Sequence, residues 1–129
     1  MTMIEAQERH QAVACVLDVA AAVPAVIGVL LQHLADNFGE ILPWILMGAY
    51  TDWAIQQDRL NTAESRVNVE AFFQTLERHF DKQSAGAWNV IAVGCLENLD
   101  QAGQRYDALF AHFGPRMKAA EAAHPHRPR

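Results

Sequence analysis

Cysteine is scarce in this chain. Two thiols, Cys15 and Cys95, among 129 residues cannot build a disulfide framework, and free thiols fit a reducing compartment. Positive charge is short as well. Ten Lys and Arg stand against fifteen Asp and Glu, a formal charge of −5 with His neutral. That balance argues against a general nucleic-acid binder, because a net acidic chain repels phosphate. Glycines are few and scattered, so none builds a phosphate-cradling loop. Sustained alternation of apolar and polar residues is missing too, which leaves no candidate for a β-strand.

Uninterrupted apolar runs are equally rare. The longest candidate, 12–31, has the length of a membrane span. Asp18 lies inside it, Pro24 divides it, and Gln32 and His33 follow it. The residues before it include Glu5, Glu8, Arg9 and His10, which do not make the positive start of a signal peptide. The stretch is therefore expected to form two buried helices of a soluble, cytoplasmic protein, with no membrane partner.

What is present is helical period and ample apolar residue, 51% of the chain. One domain over residues 1–122 is expected, followed by a flexible tail over 123–129, where two prolines fall among the last residues. A first helix reads from about Met3 to Ala22, with Ala6, His10, Val13, Leu17 and Ala20 or Ala21 on its stripe. Pro24 opens a second helix, whose stripe is Ile27, Leu30, Leu31 and Leu34. A third begins near Ile41 with Pro43 in its first turn. Its Trp44, Ile45, Leu46, Met47, Tyr50, Trp53 and Ile55 surround the axis, which marks a central or interfacial helix. Residues 56–66 read as a polar loop with a turn at Asn61-Thr62. Val69, Phe72, Phe73, Leu76 and Phe80 define a fourth helix, and Trp88 to Leu99 a fifth with Ser84 as N-cap. Ala102 to Phe113 gives a sixth, stopped by Gly114-Pro115. The fold class is all-α, a compact bundle or short solenoid of about six helices.

Chemistry-bearing patterns are weak. None of the six histidines pairs at i, i+4, HExxH is absent, and no metal or cofactor is expected. Cys15 and Cys95 lie on apolar stripes and read as small hydrophobes. Gly28, Gly48 and Gly94 fall inside helices, where close helix–helix approach would explain them. Glu77 with Asp81, and Glu97 with Asp100, read as solvated faces rather than acid–base pairs. No enzyme chemistry is indicated.

The aromatics say more. Trp44, Tyr50 and Trp53 share the third helix with Asp52 and Asp58, close to Asp36 and Glu40. Core packing explains some of these rings. An aromatic patch rimmed by acids is also a binding surface that steers a basic partner.

The sequence Asn89-Val-Ile-Ala-Val-Gly-Cys-Leu-Glu-Asn-Leu99 is followed, one helix on, by Phe113-Gly-Pro-Arg-Met117. Upstream stand Leu34-Ala-Asp-Asn-Phe-Gly-Glu-Ile-Leu-Pro43 and the Trp53 region. Over residues 10–118 this order resembles a family of small all-helical bacterial proteins that look like immunity proteins of polymorphic toxin systems. The resemblance implies a cytoplasmic protein that occludes a cognate toxin effector domain without turnover. A nuclease-type toxin would offer a basic surface to the acidic patch. The partner-binding residues expected are Asp36, Glu40, Trp44, Asp52, Trp53 and Asp58, with Glu97 and Asn98 as a second patch. The alternative reading is a homodimer or larger homo-oligomeric scaffold built through the third helix. A small enzyme with an enclosed site is the third.

Overall fold

A computed structural model describes residues 2–123, and within them every regular element is helical. The α-helices are α1 (Met3–Ala22), α2 (Ile27–Asp36), α3 (Pro43–Leu60), α4 (Ala63–His79), α5 (Ala85–Gly94), α6 (Tyr106–Phe110) and α7 (Pro115–Ala123). Two 3-10 segments, Pro24–Val26 and Leu96–Arg105, complete the path. Ala123, expected to open the flexible tail, is the last residue of helix α7. The rest of the expected tail lies outside the described residues.

The buried stripe of α3 explains the arrangement. Pro43, Leu46, Met47, Tyr50, Thr51, Ala54, Ile55 and Asp58 are buried, a repeat of three and four residues along one broad face. The helix is central and packs on α1, α2, α4, α5 and the long 3-10 segment. Helix α1 lies chiefly along α5 and α4. Its buried residues are Ala12, Cys15, Val16, Val19 and Ala20, so of the expected stripe Ala20 is buried while Leu17 faces outward, and the stripe is rotated along most of the helix. Ala and Val occupy so many faces of α1 that hydropathy alone does not set its phase. Tyr50 fixes the contact by donating its hydroxyl to the Val16 carbonyl at 3.0 Å. At Val23–Pro24 the chain bends by 111°, and among the described residues no single helix is long and apolar enough to cross a membrane.

Two expectations about loops change. Residues 56–60 continue α3, and the connection to α4 shrinks to Asn61 and Thr62. Gln56 and Arg59 are the exposed side of a helix whose Ile55 and Asp58 are buried. Asn61 takes a left-handed conformation (φ 50°), and Thr62 with Ser65 forms a capping box. The expected fifth helix stops at Gly94. Its carbonyl receives the Thr51 hydroxyl at 3.2 Å and the Asn98 amide at 2.9 Å. Beyond it Leu96, Leu99 and Ala102 are buried at a strict spacing of three, the period of a 3-10 helix.

Close approach of backbones accounts for Gly94, where a Cβ would lie 2.7 Å from the Met47 Cβ. It accounts for Gly86 more strongly, since a Cβ there would overlap the Glu8 backbone. It does not account for Gly28, which has open space around it.

Candidate partner-binding surface

The eight expected partner-binding residues divide among four places. Asp58 is not on the surface. It is buried at the end of the α3 stripe, and Arg105 donates to it twice, from Nε to Oδ2 at 2.7 Å and from Nη2 to Oδ1 at 3.1 Å. The same bonds hold the guanidinium above its ordinary pKa. A carboxylate so engaged ties the 3-10 segment to α3 and does not steer a partner. Trp53 is half-buried. Its ring meets Phe72 edge-on at 6.0 Å and lines a groove with Ala25, Leu60, Glu64 and Asn68, which none of the expected acids lines.

Asp52 and Asn98 lie along the seam between α3 and the long 3-10 segment, and Glu97 is exposed on that segment. The exposed ridge of α3 runs through Ile45, Asp52, Gln56 and Arg59, and the 3-10 segment lies beside it. Asn98 sits over Gly48, and Arg59 donates to the Gln101 carbonyl at 3.2 Å. Between the two elements is a shallow depression of about 250 Å³ lined by Asp52, Ile55, Gln56, Arg59 and Gln101. Asp52 and Glu97 are exposed, and neither makes an ion pair among the described residues. At the start of the ridge Trp44 is half-buried, its indole N–H donated to Asn89 Oδ1 at 2.8 Å, and Ile45 beside it is 63% exposed.

Asp36 and Glu40 occupy a separate place, the corner between α2 and α3. Asp36 accepts from Gln32 at 2.9 Å, and Glu40 meets Arg9 at 3.5 Å. The corner also carries a residue that hydropathy patterning missed. Phe38 is fully exposed and has φ 56°. The Gly39 amide bonds back to the Leu34 carbonyl at 2.8 Å, closing the helix as in a Schellman motif. In that motif the left-handed residue is usually glycine. Here a phenylalanine holds that position, and glycine comes one residue later. The signal in sequence was Asn37-Phe38-Gly39, a helix stop with its glycine displaced. His33 secures the corner from below, its Nε2 accepting the Leu42 amide at 3.0 Å while Asn37 donates to the His33 carbonyl. His33 is the only fully buried residue of α2, whose expected stripe residues Ile27 and Leu31 are exposed.

Several other ionisable groups are structural. His79 bonds Asp18 at 2.6 Å and His112 bonds Glu70, so α4 is braced on two sides. Glu77 accepts the backbone amides of Arg116 and Met117, each at 3.0 Å, and caps α7 from another helix. Burial pushes Cys15 and Cys95 up from an ordinary 9.0 to about 12, so both thiols stay protonated and poorly nucleophilic. Among the described residues no three His, Cys, Asp or Glu side chains come together as a metal site. Compared with known proteins, the chain matches no family model, no curated protein and no solved structure.

Proposed function

We propose that this chain is an immunity-type protein that binds a cognate toxin domain one to one in the cytoplasm and blocks it by occlusion, without turnover. What supports the reading is the exposed ridge of α3 from Trp44 and Ile45 to Asp52, with Glu97 exposed on the neighbouring 3-10 segment. There an exposed apolar side chain and a half-buried indole share a surface with carboxylates that pair with no cation among the described residues. Apolar anchors ringed by unpaired charge are the chemistry of a docking face, and negative charge selects a basic partner surface such as a nuclease must have. Asp52, Glu97, Asn98 and Trp44 carry the binding in this reading, while Asp58 maintains the fold.

Co-expression tests the function. The short C-terminal domain of a modular toxin encoded beside this gene is produced with and without this chain, and growth is followed. Rescue by the wild-type chain, lost when Asp52→Lys and Glu97→Lys are combined, is the expected result. Continued killing in the presence of soluble wild-type protein would refute it.

A further inference from the structure

Phe38 costs the fold twice, by its left-handed backbone and by leaving a whole aromatic ring in water. The same end of the molecule carries a cavity of about 450 Å³, within the size range of ligand pockets. Phe80 and Trp88, stacked at 5.3 Å, give it an aromatic wall, and Ala119, Ala120 and Ala123 of α7 give it a smooth apolar side. Lys82 stands over the Trp88 ring at 5.9 Å and makes no ion pair among the described residues. Arg116, also at the rim, is engaged by Glu77 and Asp81. The unpaired charge of the cavity is therefore positive. The unpaired charge beside Phe38 is negative, since Asp36 is bonded only to neutral Gln32 and Glu40 is shared with Arg9.

We infer that Phe38 of one copy seats in the Phe80–Trp88 cavity of a second copy, with Asp36 facing Lys82, so that two chains exchange rings reciprocally. The occupant is argued from three matches. The cavity accepts a phenyl ring with room to spare, its walls are aromatic and aliphatic, and the leftover charges are opposite in sign. Position adds a fourth. Trp44 reaches Asn89, Gln11 reaches Gly86, and Arg9 reaches Glu40 and the Ile41 carbonyl, so knuckle and cavity share the end where α3 and α5 begin. Two copies meeting by that end can make both contacts under one two-fold axis, which closes the assembly at a dimer. This contact does not use the Asp52–Glu97 ridge and stands or falls apart from the toxin-binding proposal.

Sedimentation velocity on the full chain at rising concentration tests it. A species of twice the 14.4 kDa chain mass is expected at high-micromolar concentration. Phe38→Ala weakens it by about a hundredfold or more, because each dimer loses two buried rings. Asp36→Lys and Lys82→Glu each weaken it, and the two together in one chain restore it. All these positions are exposed, so circular dichroism should report an unchanged helical fold. A wild-type chain that stays monomeric, or a dimer indifferent to Phe38→Ala, overturns the inference. A charge-swapped double variant no better than its single parents overturns the Asp36–Lys82 pairing.

Discussion

The two N–H groups that Arg105 turns toward α3 both end on the Asp58 carboxylate, at 2.7 and 3.1 Å. This fork joins the last turn of the central helix to the end of the 3-10 segment. It converts an acid that looks like part of a binding patch into a tie within the fold. Replacing Asp58 by Asn is expected to lower the thermal midpoint and to speed amide exchange over residues 96–105. Asp52→Asn should change neither. Melting curves and hydrogen-exchange mass spectrometry distinguish the two acids.

Three glycines should respond in three ways to a single added methyl. Gly86→Ala forces the α1 and α5 backbones apart and should abolish or severely weaken folding. Gly94→Ala presses on Met47 Cβ and is expected to cost about 1–3 kcal/mol, the usual range for overpacking. Gly28→Ala meets nothing and should stabilise the chain by up to about 1 kcal/mol, through helix propensity. Urea denaturation of the three variants checks the order.

Much of the helical frame could be read from the chain because certain residues act locally. Pro24 must break a helix, and the 111° bend falls there. Val69, Phe72, Phe73, Leu76 and Phe80 are all buried as their spacing requires. The misses share a different cause. Residues 56–60 look like a loop because their polar side chains hide one buried position, Asp58. The 3-10 segment had a legible period of three at Leu96, Leu99 and Ala102, which a search for helical period of 3.6 passes over. Asp58 and Asp52 are alike in sequence, and only the arrival of Arg105 from 47 residues away separates them. Phe38 escapes a periodicity reading because a lone apolar residue in a turn belongs to no stripe.

Phe38→Gly should make the protein more stable. Glycine relieves the left-handed strain, worth about 1–2 kcal/mol, and gives back part of that through its greater unfolded-state freedom. A net gain of roughly 0.5–1 kcal/mol is expected from denaturant titration. A loss of stability would mean that the ring packs on its own chain.

Alkali should weaken the fold before acid chemistry of the thiols is exposed. Unfolded cysteine ionises near 9.0, whereas Cys15 and Cys95 in the folded chain hold their protons to about 12 because burial disfavours the thiolate. Between those values the folded state binds more protons than the unfolded state, so stability falls as pH rises. It is fully present below 9 and drops by about 1.4 kcal/mol per pH unit for each thiol. Burial moves Tyr50 in the same direction and steepens the fall. Thiol labelling of the native protein near neutrality should therefore proceed only as fast as unfolding.

Cutting the cap on α7 should release that helix alone. Glu77→Ala removes the acceptor of the Arg116 and Met117 amides and is expected to cost about 1–2 kcal/mol, as other lost N-caps do. Limited proteolysis should then cut first within residues 115–123.

The most direct test of the α3 ridge is the rate of association with the toxin domain proposed as its partner, followed by stopped flow. Combining Asp52→Lys with Glu97→Lys should slow association by about tenfold, and added salt should erase the difference. Dissociation should change little, and Asp58→Asn should leave the association rate as it is. A rate indifferent to both ridge substitutions and to salt would contradict docking through this face.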